Sequence, residues 1–187
     1  MIAGPSGVGK GSVVKELLSR DRQGLALSIS ATTRPPRPTE VDGRDYHFVE
    51  PTAFDRLIRD RGLLEWAEVF GNRYGTPSEF VEERRGSGYD VILEIDVQGA
   101  RQVRDRVPEG LLILLEPPSL DELARRLRGR GTESEEKIAR RLAEAERELG
   151  QRELFDHVVV NDDLQTASSQ VAAIIEASRS DSEDPHS

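Results

Sequence analysis

The chain has 187 residues, of which 36% are hydrophobic and 33% are charged, and its net charge is −9. These values suit one soluble α/β domain and argue against a nucleic-acid partner or a membrane partner. The chain has no cysteine, which excludes disulfides and thiolate metal sites, and it shows no secretory signal, so we expect a cytoplasmic protein.

Apolar segments and helical segments alternate along the chain. Strands are predicted at 1–3, 25–30, 46–49, 63–70, 89–97, 111–116 and 157–161. Helices are predicted at 12–20, 51–62, 78–88, 98–107, 119–149 with a break at 129–134, and 163–177. Residues 31–45 are predicted to form a loop, 71–77 a turn, and 178–187 a disordered tail. The alternation predicts a parallel sheet with helices on both faces.

The first predicted strand is unusually short. Only Met1, Ile2 and Ala3 precede a glycine, whereas a buried strand usually has ~5 residues. We therefore expect the natural coding frame to begin further upstream with more apolar residues, or the protein to be less stable than longer relatives. Adding a few apolar residues before Met1 is then expected to raise the melting temperature.

A glycine-rich loop joins this strand to the first helix. Gly4, Gly9 and Lys10 have the Gly-x4-Gly-Lys spacing of a phosphate-binding loop. In such a loop the backbone N–H groups and the helix N-terminus attract phosphate, and the lysine reaches the outer oxygens. Gly11 stands where the common motif has a serine or threonine for Mg²⁺, so Ser12, water and the phosphates themselves are candidates to hold the metal. The alternative is a glycine-rich turn with a solvated lysine.

The proline-rich loop is a candidate for a second anion site. Arg34 and Arg37 lie beside Ser30 in "SISATTRPPRP", and two guanidiniums in a preformed loop suit a second phosphate. Tyr46 could add a hydroxyl. A solvated basic loop explains the same residues equally well.

Two acidic residues follow the apolar run of the strand predicted at 89–97. Glu94 and Asp96 are two residues apart, so both are predicted on one side of the strand near its carboxyl end, where open α/β sheets bind ligands. Carboxylates near phosphates suit Mg²⁺ and its waters. The alternative is a salt-bridged strand end.

Taken together, the motifs resemble those of guanylate kinases. "GPSGVGKGS", "SATTRPPRPTEVDGRDYHFV", "EWAEVFGNRYGTP", "ILEIDVQGA", "GRGTESEEKIARRL" and "VVVNDDL" occur in that family's order and spacing, from Gly4 to about Ala177. The resemblance implies a P-loop three-layer sandwich with a central parallel sheet over 1–177. It further implies a small GMP-binding excursion at about 31–77 and a mobile lid at about 120–145.

The resemblance also implies the roles of individual residues. The implied ATP ligands are Gly4, Pro5, Ser6, Gly7, Val8, Gly9, Lys10, Gly11, Ser12, Arg126 and Asn161. The implied GMP ligands are Ser30, Arg34, Arg37, Tyr46 and Tyr74 for the phosphate, and Glu65, Thr76 and Asp96 for guanine. Mg²⁺ would be held by Ser12, Glu94 and Asp96, in part through water. The pattern of residues alone would instead place Glu65 on the outward face of a strand.

The implied reaction transfers the γ-phosphoryl group of ATP to GMP or dGMP, which serves purine nucleotide metabolism and GMP recycling. The implied catalytic residues are Lys10, Arg37, Arg130 and Arg141, whereas Arg125, Arg128 and Arg140 are expected to be solvated. A phosphate monoester is mostly dianionic at neutral pH, so the acceptor needs no general base. Two alternatives remain at this point: a non-catalytic binding module of the same fold, and a kinase for another phosphorylated acceptor. The sequence leaves the oligomeric state open.

Overall fold

The computed structural model describes residues 1–20, 24–129 and 134–183, with side chains described as far as residue 180. The helices are α1 Lys10–Arg20, α2 Pro51–Arg59, α3 Ser78–Gly86, α4 Val97–Arg106, α5 Leu120–Gly129, α6 Glu135–Leu149 and α7 Leu164–Glu183. The strands are β1 Ile2–Ala3, β2 Leu25–Leu27, β3 Ala31–Thr32, β4 His47–Phe48, β5 Leu63–Val69, β6 Asn72–Pro77, β7 Asp90–Ile92, β8 Ile113–Glu116 and β9 His157–Val160. The chain is therefore α/β, as the alternating pattern predicted.

One compact unit spans residues 1–20 and 111–187. Its sheet is parallel with the order β1-β8-β9, and Ile2 pairs with Ile113. All four residues of β8 are buried, which confirms the prediction of a buried parallel strand from the apolar run. Helix α1 packs against α7, and α5 packs against α6 through a cluster that contains Leu123, Leu127 and Ile138.

The second compact unit spans residues 21–110. It contains a parallel pair, β2 with β7, and a four-stranded mixed sheet with the order β4-β3-β6-β5. Phe54 of α2 is fully buried against Ala31 and Leu63, which anchors α2 to this sheet. Helix α4 packs against β5, the edge strand of the sheet. These two units are not the predicted core, GMP-binding excursion and lid, and that predicted division stays a prediction.

Residues 72–77 form a strand, so the prediction of a turn over 71–77 is wrong beyond Gly71. The turn lies one residue earlier, at Phe70 and Gly71, which have φ angles of 52° and 77°. Such a two-residue hairpin turn requires positive φ at both positions and suits the twist of the flanking strands. Cross-strand pairing with β5 then extends β6 from Asn72 through Pro77, and β6 also pairs with β3.

Two other boundaries differ from the prediction for a physical reason. The strand predicted at 89–97 ends at Ile92, and helix α4 takes over from Val97, because the Asp96 side chain caps the helix by accepting the backbone N–H of Gly99. The tail, predicted to be disordered from residue 178, is instead helical as far as Glu183. The Ser180 hydroxyl donates to the Glu176 carbonyl one turn earlier, within this helix. Residues 184–187 lie outside the described residues.

None of the helices in the described part of the chain combines the length and the apolar character that crossing a membrane requires.

Candidate functional site

The loop after β1 has the backbone of a phosphate cradle. Gly4, Gly7 and Gly9 have φ angles of 146°, 94° and 103°, a region that residues with a side chain rarely adopt. A Cβ at Gly4 would overlap the carbonyl oxygen of Leu115, and one at Gly9 would lie 2.5 Å from Nδ2 of Asn161. The glycines therefore allow both the conformation of the loop and its close approach to the ends of β8 and β9.

The loop leads directly into the first turn of α1. The carbonyl of Gly9 accepts hydrogen bonds from the backbone N–H groups of Ser12 and Val13, so the helix begins where the loop ends. The ammonium of Lys10 donates to the carbonyl of Gly4 at 2.5 Å and to that of Pro5 at 3.4 Å. The one lysine of the motif thus lies over the loop itself, at a helix N-terminus that favours anions.

Three side chains that were predicted for ATP binding or for catalysis contact this loop. The Asn161 amide, in a side chain that is nearly fully buried, donates to the carbonyl of Val8 at 2.7 Å. Arg126 donates to the same carbonyl at 3.3 Å and pairs with Glu122. Arg141 of α6 donates to the hydroxyl of Ser6 at 2.5 Å. The predicted contact of Asn161 with ATP stays a prediction, and Arg130 lies outside the described residues.

A second group of predicted ligands surrounds Arg34, in the other unit. Its guanidinium lies 5.4 Å from the centre of the Tyr46 ring and is hydrogen bonded to Tyr74, and the two tyrosine rings meet edge to face. Burial raises the pKa of Tyr46 to about 12, and the negative charge of Glu94 contributes to the rise. The structure therefore brings Arg34, Tyr46, Tyr74 and Glu94 together.

Glu40 is a member of this cluster that the sequence analysis missed. It forms a two-bond ion pair with Arg34, at 2.9 Å and 3.0 Å, and it accepts the backbone N–H of Arg37 at 2.7 Å. The pKa of Glu40 is lowered by these bonds, which outweigh its partial burial. The guanidinium of Arg37 is more than half exposed and lies 3.5 Å from Glu40. Ser30 lies just before β3, where its carbonyl accepts the N–H of His47.

The predicted guanine ligands form a buried pair across the hairpin of β5 and β6. Glu65 stands directly opposite Thr76, and the threonine hydroxyl donates to Oε1 of Glu65 at 2.6 Å. Only 3% of Glu65 is exposed, so the outward placement that the residue pattern alone suggested is wrong. Burial raises the pKa of Glu65 to about 7, and the charge of Asp96 adds to the rise, whereas Thr76 and Arg106 oppose it.

Asp96 lies at the N-terminus of α4, close to this pair. Its Oδ1 accepts the backbone N–H of Gly99 at 2.7 Å, and Gln98 donates to its Oδ2 at 3.4 Å. A Cβ on Gly99 would lie 3.4 Å from Oδ1 of Asp96 and would overlap the Glu65 carboxylate. Glu65, Thr76 and Asp96 therefore come together, as predicted, and Gly99 joins them without having been predicted.

The predicted magnesium ligands carry the oxygen donors that Mg²⁺ prefers. Ser12 is exposed in the first turn of α1, and Glu94 and Asp96 follow β7 in the other unit. Within the described ranges, no group of three or more His, Asp or Glu side chains is arranged to hold a metal ion. Kinase sites typically hold Mg²⁺ with one or two carboxylates together with substrate phosphates and waters, and the carboxylates of Glu94 and Asp96, which lie in one unit, are donors of that kind.

Comparison with known proteins gives one consistent result. The family model described as guanylate kinase matches residues 1–178. The guanylate kinase of Thermobifida fusca is 53% identical over 177 residues, which cover 95% of this chain and 90% of that protein. The guanylate kinase of one strain of Thermus thermophilus is 54% identical over 179 residues, which cover 96% of this chain and 80% of that protein. The crystal structure of guanylate kinase from Anaplasma phagocytophilum superposes with a TM-score of 0.78 at 33% identity, covering 94% of this chain and 82% of that one.

Proposed function

Because this chain belongs to the guanylate kinase family, we propose that it transfers the γ-phosphoryl group of ATP to GMP, giving ADP and GDP. The observation that carries this proposal is the buried pair of Glu65 and Thr76, in the same unit as the cluster around Arg34. A carboxylate that reads a base and a cluster that binds a phosphate are what a nucleoside monophosphate site requires.

Guanine and adenine differ in the groups that Glu65 would meet. Guanine offers N1–H and an exocyclic amine as neighbouring donors, and a carboxylate, which only accepts hydrogen bonds when ionised, can bind both. Adenine has no N1–H and no amine at C2. Oε1 of Glu65 already accepts from Thr76, which fixes the carboxylate and supports a preference for guanine. Thr76 and Asp96 would complete the guanine site.

The phosphate of GMP would bind at the cluster around Arg34. Two guanidiniums, from Arg34 and Arg37, and the hydroxyls of Tyr46 and Tyr74 supply positive charge and donors for a dianion. Ser30, directly before β3, would complete this set. The exposed guanidinium of Arg37 is the member that we propose to reach the phosphoryl group in transfer.

ATP would bind at the glycine-rich loop. Backbone N–H groups of this loop would bind its phosphates, and Lys10 would exchange the carbonyls of Gly4 and Pro5 for phosphate oxygens. Ser12, Glu94 and Asp96 would hold Mg²⁺, which when bound neutralises charge on the β- and γ-phosphates.

Catalysis by this set would consist of positioning and charge neutralisation. The acceptor is a phosphate oxygen that is already ionised near neutral pH, so the chain needs no general base. The transferring group spreads negative charge over its oxygens, and preorganised cations stabilise that charge. We propose Lys10, Arg37, Arg130 and Arg141 for this role, the last two from the lid at about 120–145. We place the activity in cytoplasmic purine nucleotide metabolism, with dGMP as a second acceptor.

A coupled assay of ADP release over a panel of nucleoside monophosphates tests this proposal. With ATP and Mg²⁺, we expect turnover with GMP and dGMP and a much lower kcat/KM with AMP, CMP and UMP. Turnover with AMP that equals turnover with GMP would contradict the assignment of the base. The absence of any ADP release from a folded protein would favour a non-catalytic binding module.

A further inference from the structure

Gly99 is the third residue of α4, and the backbone there does not require glycine. The residue lies inside an α-helix, outside the positive-φ region that favours glycine. Glycine is a poorer helix former than alanine at such a position. Its presence therefore calls for an explanation in the surroundings of its missing side chain.

The space that a side chain at residue 99 would need is already filled by Glu65. A Cβ there would overlap Oε2 of Glu65 and would lie 3.0 Å from Cδ of the same side chain. Real Cβ atoms essentially never approach other heavy atoms that closely. Any residue larger than glycine therefore requires either the carboxylate or the helix to move.

Both the carboxylate and the helix are held in place by hydrogen bonds. The carboxylate is bound by the Thr76 hydroxyl at 2.6 Å and is buried. On the helix side, Gln102 exchanges two hydrogen bonds with the backbone of Trp66, and Arg106 donates to the carbonyls of Leu63 and Leu64. These bonds attach α4 to the edge of β5 on both sides of Glu65, so the distance between helix and strand is fixed.

We propose that Gly99 is a positioning residue for guanine recognition, because its missing side chain allows the Glu65 carboxylate to lie against the first turn of α4. This inference rests on the proposed function. Gly99 would not touch the nucleotide itself and would act only through Glu65. A methyl group at residue 99 would displace the carboxylate and thereby lower the preference for guanine over adenine.

The test compares Gly99→Ala with Gly86→Ala. Gly86 is also helical, and a Cβ there would meet nothing within 4 Å, so it is a matched control. For Gly99→Ala we expect kcat/KM for GMP to fall ~10-fold or more, which corresponds to one poorly made hydrogen bond. We expect kcat/KM for AMP to change less than two-fold, and Gly86→Ala to leave both values as in the wild type.

A stability measurement separates the contact with Glu65 from a general effect on the helix. Gly99→Ala should lower the melting temperature of the wild type but raise it in a Glu65→Ala background, where the overlap is absent and the better helix former prevails. A shift of the same sign in both backgrounds would overturn the inference, and so would an unchanged GMP:AMP ratio in Gly99→Ala. If the wild type itself shows no preference for GMP, the proposed function fails, and the sign change in melting temperature still tests the contact.

Discussion

Glu65→Gln tests the base-reading role of the buried carboxylate with almost no change in shape. The amide oxygen of glutamine can keep the hydrogen bond from Thr76, which now lies at 2.6 Å. The second oxygen of the carboxylate becomes an NH₂ group. In the proposed complex this donor would face the donors of guanine, so the substitution removes an acceptor and adds a repulsive contact.

The size of the effect follows from the number of hydrogen bonds that are lost. Guanine would leave up to two donors unpaired in a buried site, and each costs ~1–3 kcal/mol. At ~1.4 kcal/mol for each tenfold change, kcat/KM for GMP should fall ~10²-fold or more. The value for AMP should fall much less, because adenine never offers these donors.

The assay is kcat/KM for GMP and for AMP in the wild type and in the variant, with circular dichroism as a folding control. The GMP:AMP preference should shrink by about the factor that GMP loses. An unchanged GMP:AMP ratio of kcat/KM in a folded variant would refute the reasoning. Recognition of guanine would then be assigned to Asp96 and Thr76.

The same variant should be more stable than the wild type in alkaline solution. An acid with a higher pKa in the folded chain than in the unfolded chain favours folding below that pKa, and the contribution is lost as pH rises through about 7. A rise from 4.5 to about 7 corresponds to ~3 kcal/mol, at ~1.4 kcal/mol for each unit. The urea midpoints of wild type and variant should nearly agree at about pH 4, below the ordinary pKa of 4.5, and the variant should be higher at about pH 8. Equal midpoints of the two proteins at both pH values would show that burial does not raise the pKa of Glu65.

Three further substitutions test the anion-binding groups. Lys10→Ala should lower kcat ~10²–10³-fold with an unchanged circular dichroism spectrum, and normal turnover would exclude a phosphate-binding loop. Arg141→Ala should lower kcat and kcat/KM by the same factor, while calorimetry shows little loss of GMP affinity. Arg140 is exposed, so Arg140→Ala should match the wild type. Equal effects of the two substitutions would show that Arg141 has no role in the mechanism. Glu40→Gln should raise KM for GMP ~10-fold, because it removes a charge-assisted ion pair with Arg34. Glu50 is exposed and makes no side-chain cap bond, so Glu50→Gln should leave KM unchanged. A lower KM in Glu40→Gln would mean that Glu40 competes with GMP for Arg34.

The phosphate loop could be predicted from the sequence because its physics is local. Gly4, Gly9 and Lys10 are fixed by spacing, and each glycine is needed for its own φ angle. The buried strand β8 was equally visible, since a parallel strand covered on both faces is apolar throughout. Each of these features leaves a recognisable pattern within one short stretch of sequence.

The placement of Glu65 could not be predicted from the residue pattern, because it depends on partners far away in the sequence. A register shift between Leu63 and Glu65 breaks the simple pairing of β5 with β6 and sets Glu65 opposite Thr76. Strand β6 was missed for the same reason, since its turn-like composition is overridden by pairing on both sides. The sequence does not indicate which acidic residue pairs with Arg34, because Glu40, Asp42 and Asp45 all follow closely, and only the folded loop selects Glu40.

The side chains that we propose to bind phosphate are engaged with the protein itself. Lys10 donates to loop carbonyls, Arg34 is paired with Glu40, and Arg141 donates to Ser6. Binding a phosphate at such groups exchanges one set of charge-assisted bonds for another, so affinity depends on the difference between the two sets rather than on the new bonds alone. The arrangement also holds the cations in place before the substrate arrives, and charge that develops during transfer is best stabilised by groups that need not reorganise. For selectivity we propose a different arrangement: burial disfavours the ionised form of Glu65, and an ionised carboxylate in that position would gain most from a base that offers it two donors.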